Sequence, residues 1–265
     1  MNLINKYLCL FMLIVPSFLV AETFDHSEWD KLTKAHVVEI RGGVATEVDY
    51  RSFKKNDRAL SAYLKQLASV SRAQFDGLSK SEQLAFLINA YNAWTVELIL
   101  TEYPNLESIK DLGSFLSSPW KKEFVPLFGG KVSLDHIEHE LIRGSGRYND
   151  PRIHFAVNCA SVGCPALRAE AYVGDRLEQQ LEAQTKAFLK DRTRNRLQKK
   201  ELEVSSIFKW YQDDFEQGWR GADSLEAFLA LYGNSLGLDQ AAEKRLKSGK
   251  IDIEFLDYDW RLNDI

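Results

Sequence analysis

Apolar residues recur at helical spacing along most of the chain. Leu60, Leu64 and Leu67 form one stripe over residues 57–70. Leu84, Leu87, Ile88, Tyr91, Thr95 and Leu98 form another over residues 81–102, ahead of Pro104, and Ser79 or Ser81 is placed to cap that helix. Further helices are expected over residues 22–32, 135–143, 175–189, 223–232 and 239–246, with one more opening at Ser205 or Ser206 and running through Trp210 to Phe215. Ser133 caps the 135–143 helix and Gly144 ends it. Extended signals are shorter. Residues 37–48 read as a turn at Gly42-Gly43 with extended flanks, and 124–134 as a hairpin turning at Gly129-Gly130. Short strands are expected at 202–204 and 251–255. Residues 152–158 alternate as a strand does, with Ile153, Phe155 and Val157 on one face and His154, Ala156 and Asn158 on the other. Helices dominate and regular βαβ alternation is absent. The pattern predicts an α+β fold: one predominantly helical domain with a small, mostly antiparallel sheet. No repeat and no Pro/Gly/Ser-rich linker divides it.

Residues 1–21 stand apart. Lys6 is their only charge; an apolar run over 7–15 follows, then Pro16, Ser17 and Leu19-Val20-Ala21. This basic, apolar, small-residue order is that of a secretory signal peptide, and the run is shorter than the ~20 residues of a membrane span. The expectation is cleavage after Ala21, leaving residues 22–265 as a single domain in the periplasm or secreted, with no later membrane span. An uncleaved anchor is the alternative.

Composition narrows the function classes. Charged residues are 27% and hydrophobic residues 45%, ordinary for a globular domain, and the net charge of -4 excludes an electrostatic nucleic-acid binder. The 6 Trp imply a filled core or an aromatic groove. Removing the first segment also removes Cys9 and leaves Cys159 and Cys164, an even count five positions apart in an oxidising compartment. They form a disulfide, pack as small hydrophobes, or present a reactive thiol at a strand exit.

Three polar strings carry the candidate chemistry. Asn89 and Asn92 fall on one side of a helix otherwise rich in apolar residues, where an amide needs a partner. They either tie down loop backbone or line a polar pocket. His136, His139 and Arg143 share a helical side beside Glu138, a weak metal pattern lacking the His-Glu-x-x-His order, so no metal is assigned. His154, Asn158, Cys159 and Cys164 form the third string. The basic run at 190–201 reads as a solvated helix end. The acidic tail at Asp257 and Asp259, beside Tyr258 and Trp260, either caps a groove or simply closes a strand.

The strings Leu87-Ile-Asn-Ala-Tyr-Asn-Ala-Trp94, Ser133-Leu-Asp-His-Ile-Glu-His139 with Arg143, and Arg152-Ile-His-Phe-Ala-Val-Asn-Cys-Ala-Ser-Val-Gly-Cys-Pro165 together resemble the domain of unknown function 547 family. Ser206-Ile-Phe-Lys-Trp-Tyr211 and Asp259-Trp-Arg-Leu-Asn263 are similar to its C-terminal pattern, so the resemblance runs from about Phe75 to the end. It implies an exported bacterial protein or a plant protein beside a coiled coil. It points to Asn89, Asn92, Glu138, His139, Arg143, His154, Asn158, Cys159 and Cys164, and supplies no reaction for them.

Two functions compete. In the first, the chain is a binding domain for a small molecule, peptide or protein, stabilised by a Cys159–Cys164 disulfide, with Asn89, Asn92, Arg143 and Asn158 as binding residues and no cofactor. In the second, Cys159 is the nucleophile of a thiol hydrolase or acyltransferase, His139 its base, Glu138 or an Asn the orienter and His154 a flanking group. No His follows Cys159, so the second requires a permuted order.

Overall fold

A computed structural model describes residues 23–114 and 117–265. The expected signal segment lies outside them. The chain opens with α1 (Ser27–His36), the hairpin β1 (Val37–Ile40) and β2 (Ala45–Val48), and then α2 (Tyr50–Lys55), α3 (Asp57–Ser69), α4 (Arg72–Gly77) and α5 (Lys80–Leu100). Ser79 caps α5 by accepting from the Glu82 amide. Nearly every side of α5 is buried, as befits a helix whose apolar residues extend well past one stripe. It packs against α2, α3 and the segment His136–Arg143.

A second hairpin follows, β3 (Val125–Leu127) with β4 (Gly130–Val132), turning where Gly129-Gly130 predicts. His136–Arg143 is a π-helix, wider than the α-helix its spacing suggests. Its last turn closes with the Gly144 amide donating to the His139 carbonyl, and a Cβ on Gly144 would stand 2.6 Å from that oxygen. Only glycine fits there. After α6 (Leu177–Lys190) come β5 (Arg196–Gln198), β6 (Glu201–Ser205), α7 (Ile207–Trp210), α8 (Gln212–Phe215), α9 (Leu225–Leu231), α10 (Gln240–Lys247) and β7 (Asp252–Leu256). The three small sheets are antiparallel except that β7 pairs parallel with β6, Val204 opposite Phe255. The fold is helical α+β, as the periodicity predicts. Among the described residues, no helix is long and apolar enough to cross a membrane.

The strand expected over 152–158 is corrected: Pro151–Phe155 is a 3-10 helix. Pro151 opens it, and the Asp150 carboxylate accepts from the Arg152 amide. The alternation misleads because both of its faces are buried. Ile153, Ala156 and Val157 join the core around α5, whereas Phe155 joins a second core with Phe188, Phe208, Phe215 and Phe228. The segment therefore lies between two cores. Arg152, 2% exposed, fixes it to α6 through Glu178 and Glu182, with Asp150 as a third carboxylate.

Three histidines are buried: His26, His36 and His154. The Tyr63 hydroxyl lies 2.7 Å from His26 Nδ1, and Nε2 has no protein partner. Burial lowers His36 and pushes His26 down to about 3. The unfolded chain, whose histidines titrate near ~6.5, takes up these protons first. Stability from this source is therefore complete above about pH 6.5 and is lost as the pH falls toward about 3. We expect the melting temperature to fall on acidification across that window. His26→Phe should start lower at pH 8, lacking the Tyr63 bond, and lose less on acidification. Parallel profiles for the two proteins would refute the assignment.

Candidate functional site

The loop from Cys159 to Cys164 leaves the 3-10 helix between the two cores, and α5 anchors it. Asn92 donates to the Ala156 carbonyl (2.9 Å) and accepts from the Asn158 amide (2.8 Å). Asn158 donates to the Pro165 carbonyl (2.7 Å) and accepts from the Ala160 amide (2.9 Å), which supports the left-handed backbone of Ala160 at φ 60°. Asn89 pairs in the same way with both backbone groups of Tyr172. These amides tie down backbone, which for Asn89 and Asn92 is the first of the two expected roles, and none of the three is among the residues that line the cavity beside the disulfide.

Arg194 adds two further bonds, to the carbonyls of Cys164 and Val162. It is 8% exposed, and its neighbour Asn195 is fully buried. This corrects the reading of 190–201 as wholly solvated. The C-terminal segment completes the clamp: the amides of Val162 and Gly163 donate to Arg261 and Asp259. A Cβ on Gly163 would meet the Tyr258 ring and the Asp259 carbonyl at 3.0 Å. Within this frame Cys159 and Cys164 form a disulfide, their Cα atoms 6.1 Å apart.

Beside the disulfide lies a cavity of about 220 Å³. Cys159, Cys164, Glu138, His139 and His154 line it, and so do six aromatic residues: Tyr91, Trp120, Trp210, Tyr211, Tyr258 and Trp260. The acidic tail thus contributes to the groove as well as ending a strand. Trp260 stacks on Trp210 (5.7 Å) and packs edge-on against Trp120 (5.8 Å). The Tyr258 hydroxyl lies 3.1 Å from Cys159 Sγ and 3.2 Å from the Ser161 hydroxyl.

One carboxylate organises the polar wall. Asp214 accepts from Arg143 through Nε (2.6 Å) and Nη2 (3.2 Å), and lies 2.7 Å from His154 Nε2. Burial raises this carboxyl, but the His154 and Arg143 hydrogen bonds outweigh it and hold Asp214 well below the usual carboxylate range. An ionised Asp214 can only accept, so His154 carries its proton on Nε2. Burial lowers the His154 pKa, and the Asp214 bond offsets only part of that. The ring is therefore neutral. It is 2% exposed, stacked on Tyr211 at 4.0 Å, and its Nδ1 has no protein partner.

Arg143 Nη1 also donates to His139 Nδ1 at 2.8 Å, which leaves the His139 proton on Nε2, near Asp135 at 3.8 Å. Glu138, 6% exposed, accepts from the Tyr211 hydroxyl at 2.7 Å. Arg143 stands behind His139 rather than on the cavity wall. Among the described residues, no group of three or more His, Cys, Asp or Glu is arranged to hold a metal.

Sequence reasoning missed Asp214, whose approach depends on a turn between the short helices α7 and α8. It also missed Trp120 as a wall residue and left Tyr211 unassigned, while Tyr258 and Trp260 were placed beside a tail that either caps a groove or closes a strand. The consecutive Trp210 and Tyr211 were an available signal for the aromatic wall, whereas the local sequence of Asp214 held none.

Nitrogen-resolved NMR should find both His139 and His154 as Nε2–H tautomers at neutral pH. Asp214→Asn should cost about 1.5–3 kcal/mol, because two donors lose a charged acceptor. An unchanged melting temperature, or a Nδ1–H tautomer for His154, would contradict this geometry.

No curated protein and no solved structure matches the chain. Residues 75–189 match the family model described as "Protein of unknown function, DUF547", a span that holds α5, the π-helix and the disulfide loop but stops short of Asp214, Tyr258 and Trp260. The Asn, His and Cys strings lie within that match, so this part of the chain is similar to the DUF547 family.

Proposed function

We propose that this chain is an exported domain that binds a small ligand, or a short side-chain-bearing segment of a partner, in the aromatic cavity beside the disulfide. The observation that carries this reading is His154 Nδ1, a buried acceptor without a protein partner on a residue that lines the cavity. A buried polar atom left unpaired costs about 1–3 kcal/mol, and a ligand hydroxyl or N–H would recover that. Rigid aromatic walls with few, fixed polar groups are typical of small-molecule sites. The disulfide serves as a stiff part of the wall. Export is supported by the order of residues 1–21 and by an oxidised cysteine pair. The mature chain should then begin at Glu22 when its mass is measured after secretion from the native host.

A thermal-shift fragment screen on the wild type, repeated on Trp210→Ala and His154→Gln, tests the pocket. Compounds that stabilise the wild type should lose their effect in both variants. Hits indifferent to both would overturn the reading.

A second reading is favoured by the couple formed by Asp214 and His154. A neutral imidazole with an oriented Nε2–H and an unpartnered Nδ1 has the form of a general base, and His154 lines the cavity with Cys159. The thiol hydrolase would thus use His154, with Asp214 as orienter, in place of His139 and Glu138. It requires the disulfide to be reduced. On the binding reading, native protein shows no alkylation before reduction, and reduction lowers stability by on the order of 2 kcal/mol. On the hydrolase reading, reduced Cys159 reacts with iodoacetamide at mildly acidic pH faster than an ordinary thiol, and His154→Ala removes that advantage.

A further inference from the structure

The chemistry of the cavity wall narrows the class of ligand. Two carboxylates, Asp135 and Glu138, are among its lining residues, together with His154, whose buried Nδ1 lacks a protein partner. Among the described residues that line it, none is Lys or Arg. The nearby guanidinium, Arg143, is bonded to Asp214 and to His139. Aromatic faces carry negative quadrupole density and attract cations held within about 6 Å of the ring centre, most strongly at Trp. Trp120, Trp210 and Trp260 pack together on this wall, with Tyr258 at 4.5 Å from Trp260. The wall already holds one cation: Lys110, which does not line the cavity, places its ammonium 3.7 Å from the centre of the Trp260 ring.

We propose that the cavity takes a small organic cation carrying a hydroxyl or N–H donor, an alkylammonium of the choline or ethanolamine class. This rests on the pocket reading above. The ammonium sits against the tryptophan wall with Asp135 and Glu138 supplying negative charge. The ligand hydroxyl donates to His154 Nδ1, the one site in the wall that a purely hydrophobic cation would leave unpaired.

Tryptophan fluorescence and calorimetry on the oxidised full-length chain would compare choline with 3,3-dimethylbutan-1-ol, its neutral isostere of nearly the same shape. Choline should bind saturably and at least tenfold more tightly. Trp210→Ala, at a residue 47% exposed and so removable without emptying a core, should weaken choline at least fivefold. Asp135→Asn should reduce the preference over the isostere. Equal affinity for the two compounds would overturn the cation inference while leaving the pocket reading intact. Binding of neither overturns the inference too, and the fragment screen then decides the pocket reading separately. A choline preference unchanged in both variants would place the binding elsewhere and overturn the proposed site.

Discussion

Backbone buried outside helices and strands must find partners for its N–H and C=O groups, and the arrangement of this protein follows from how residues 156–172 find theirs. Three asparagine amides answer the need. Asn89 and Asn92 project from α5, the most enclosed helix of the fold, and each satisfies one donor and one acceptor on the segment opposite. Asn158 repeats the pattern inside the loop. An amide presents a donor and an acceptor side by side, so it can replace a short stretch of sheet pairing where no strand fits. That is why asparagine, a poor residue for a helix interior, occupies two positions in the middle of α5.

The disulfide loop inherits its rigidity from this framework. Its backbone is pinned by Asn158 from within, by Arg194 from one side and by the C-terminal segment from another. The cysteine pair closes a loop already held in place, so its position on the cavity wall is decided by the surrounding bonds as much as by the bridge. The same C-terminal segment brings Tyr258 and Trp260 against it. Structure and site therefore share their residues, and few changes here would alter one without the other.

Charge is arranged with similar economy. Asp214 is shared by a guanidinium and an imidazole, and Arg143 passes the consequence on to His139. A single ionised carboxylate thereby sets the tautomer of His154 and, through Arg143, that of His139. His154 is neutral, with its buried Nδ1 unpartnered, and it lines the cavity together with six aromatic residues.

Much was legible from local pattern. The periodicity of 57–69 and 80–100, the hairpin at Gly129-Gly130 and the caps at Ser79 and Ser133 depend on neighbours within a few residues, and each appears in the structure near its expected place. Residue type and spacing left Cys159 and Cys164 between a disulfide, packed hydrophobes and a reactive thiol; the structure pairs them, and places His139, His154 and Cys159 on one cavity. What only the tertiary structure decided involves contacts across long separations. Residues 152–158 alternate, but both faces are buried, so a pattern that signals a strand when one face is wet described a 3-10 helix lying between two cores. Asp214 is 60 positions from His154 and 71 from Arg143, and nothing in its local sequence marks it as their shared partner. Local sequence determines which backbone conformations are cheap. Which distant carboxylate meets which buried imidazole is settled only when packing removes water from both and leaves them no other partner.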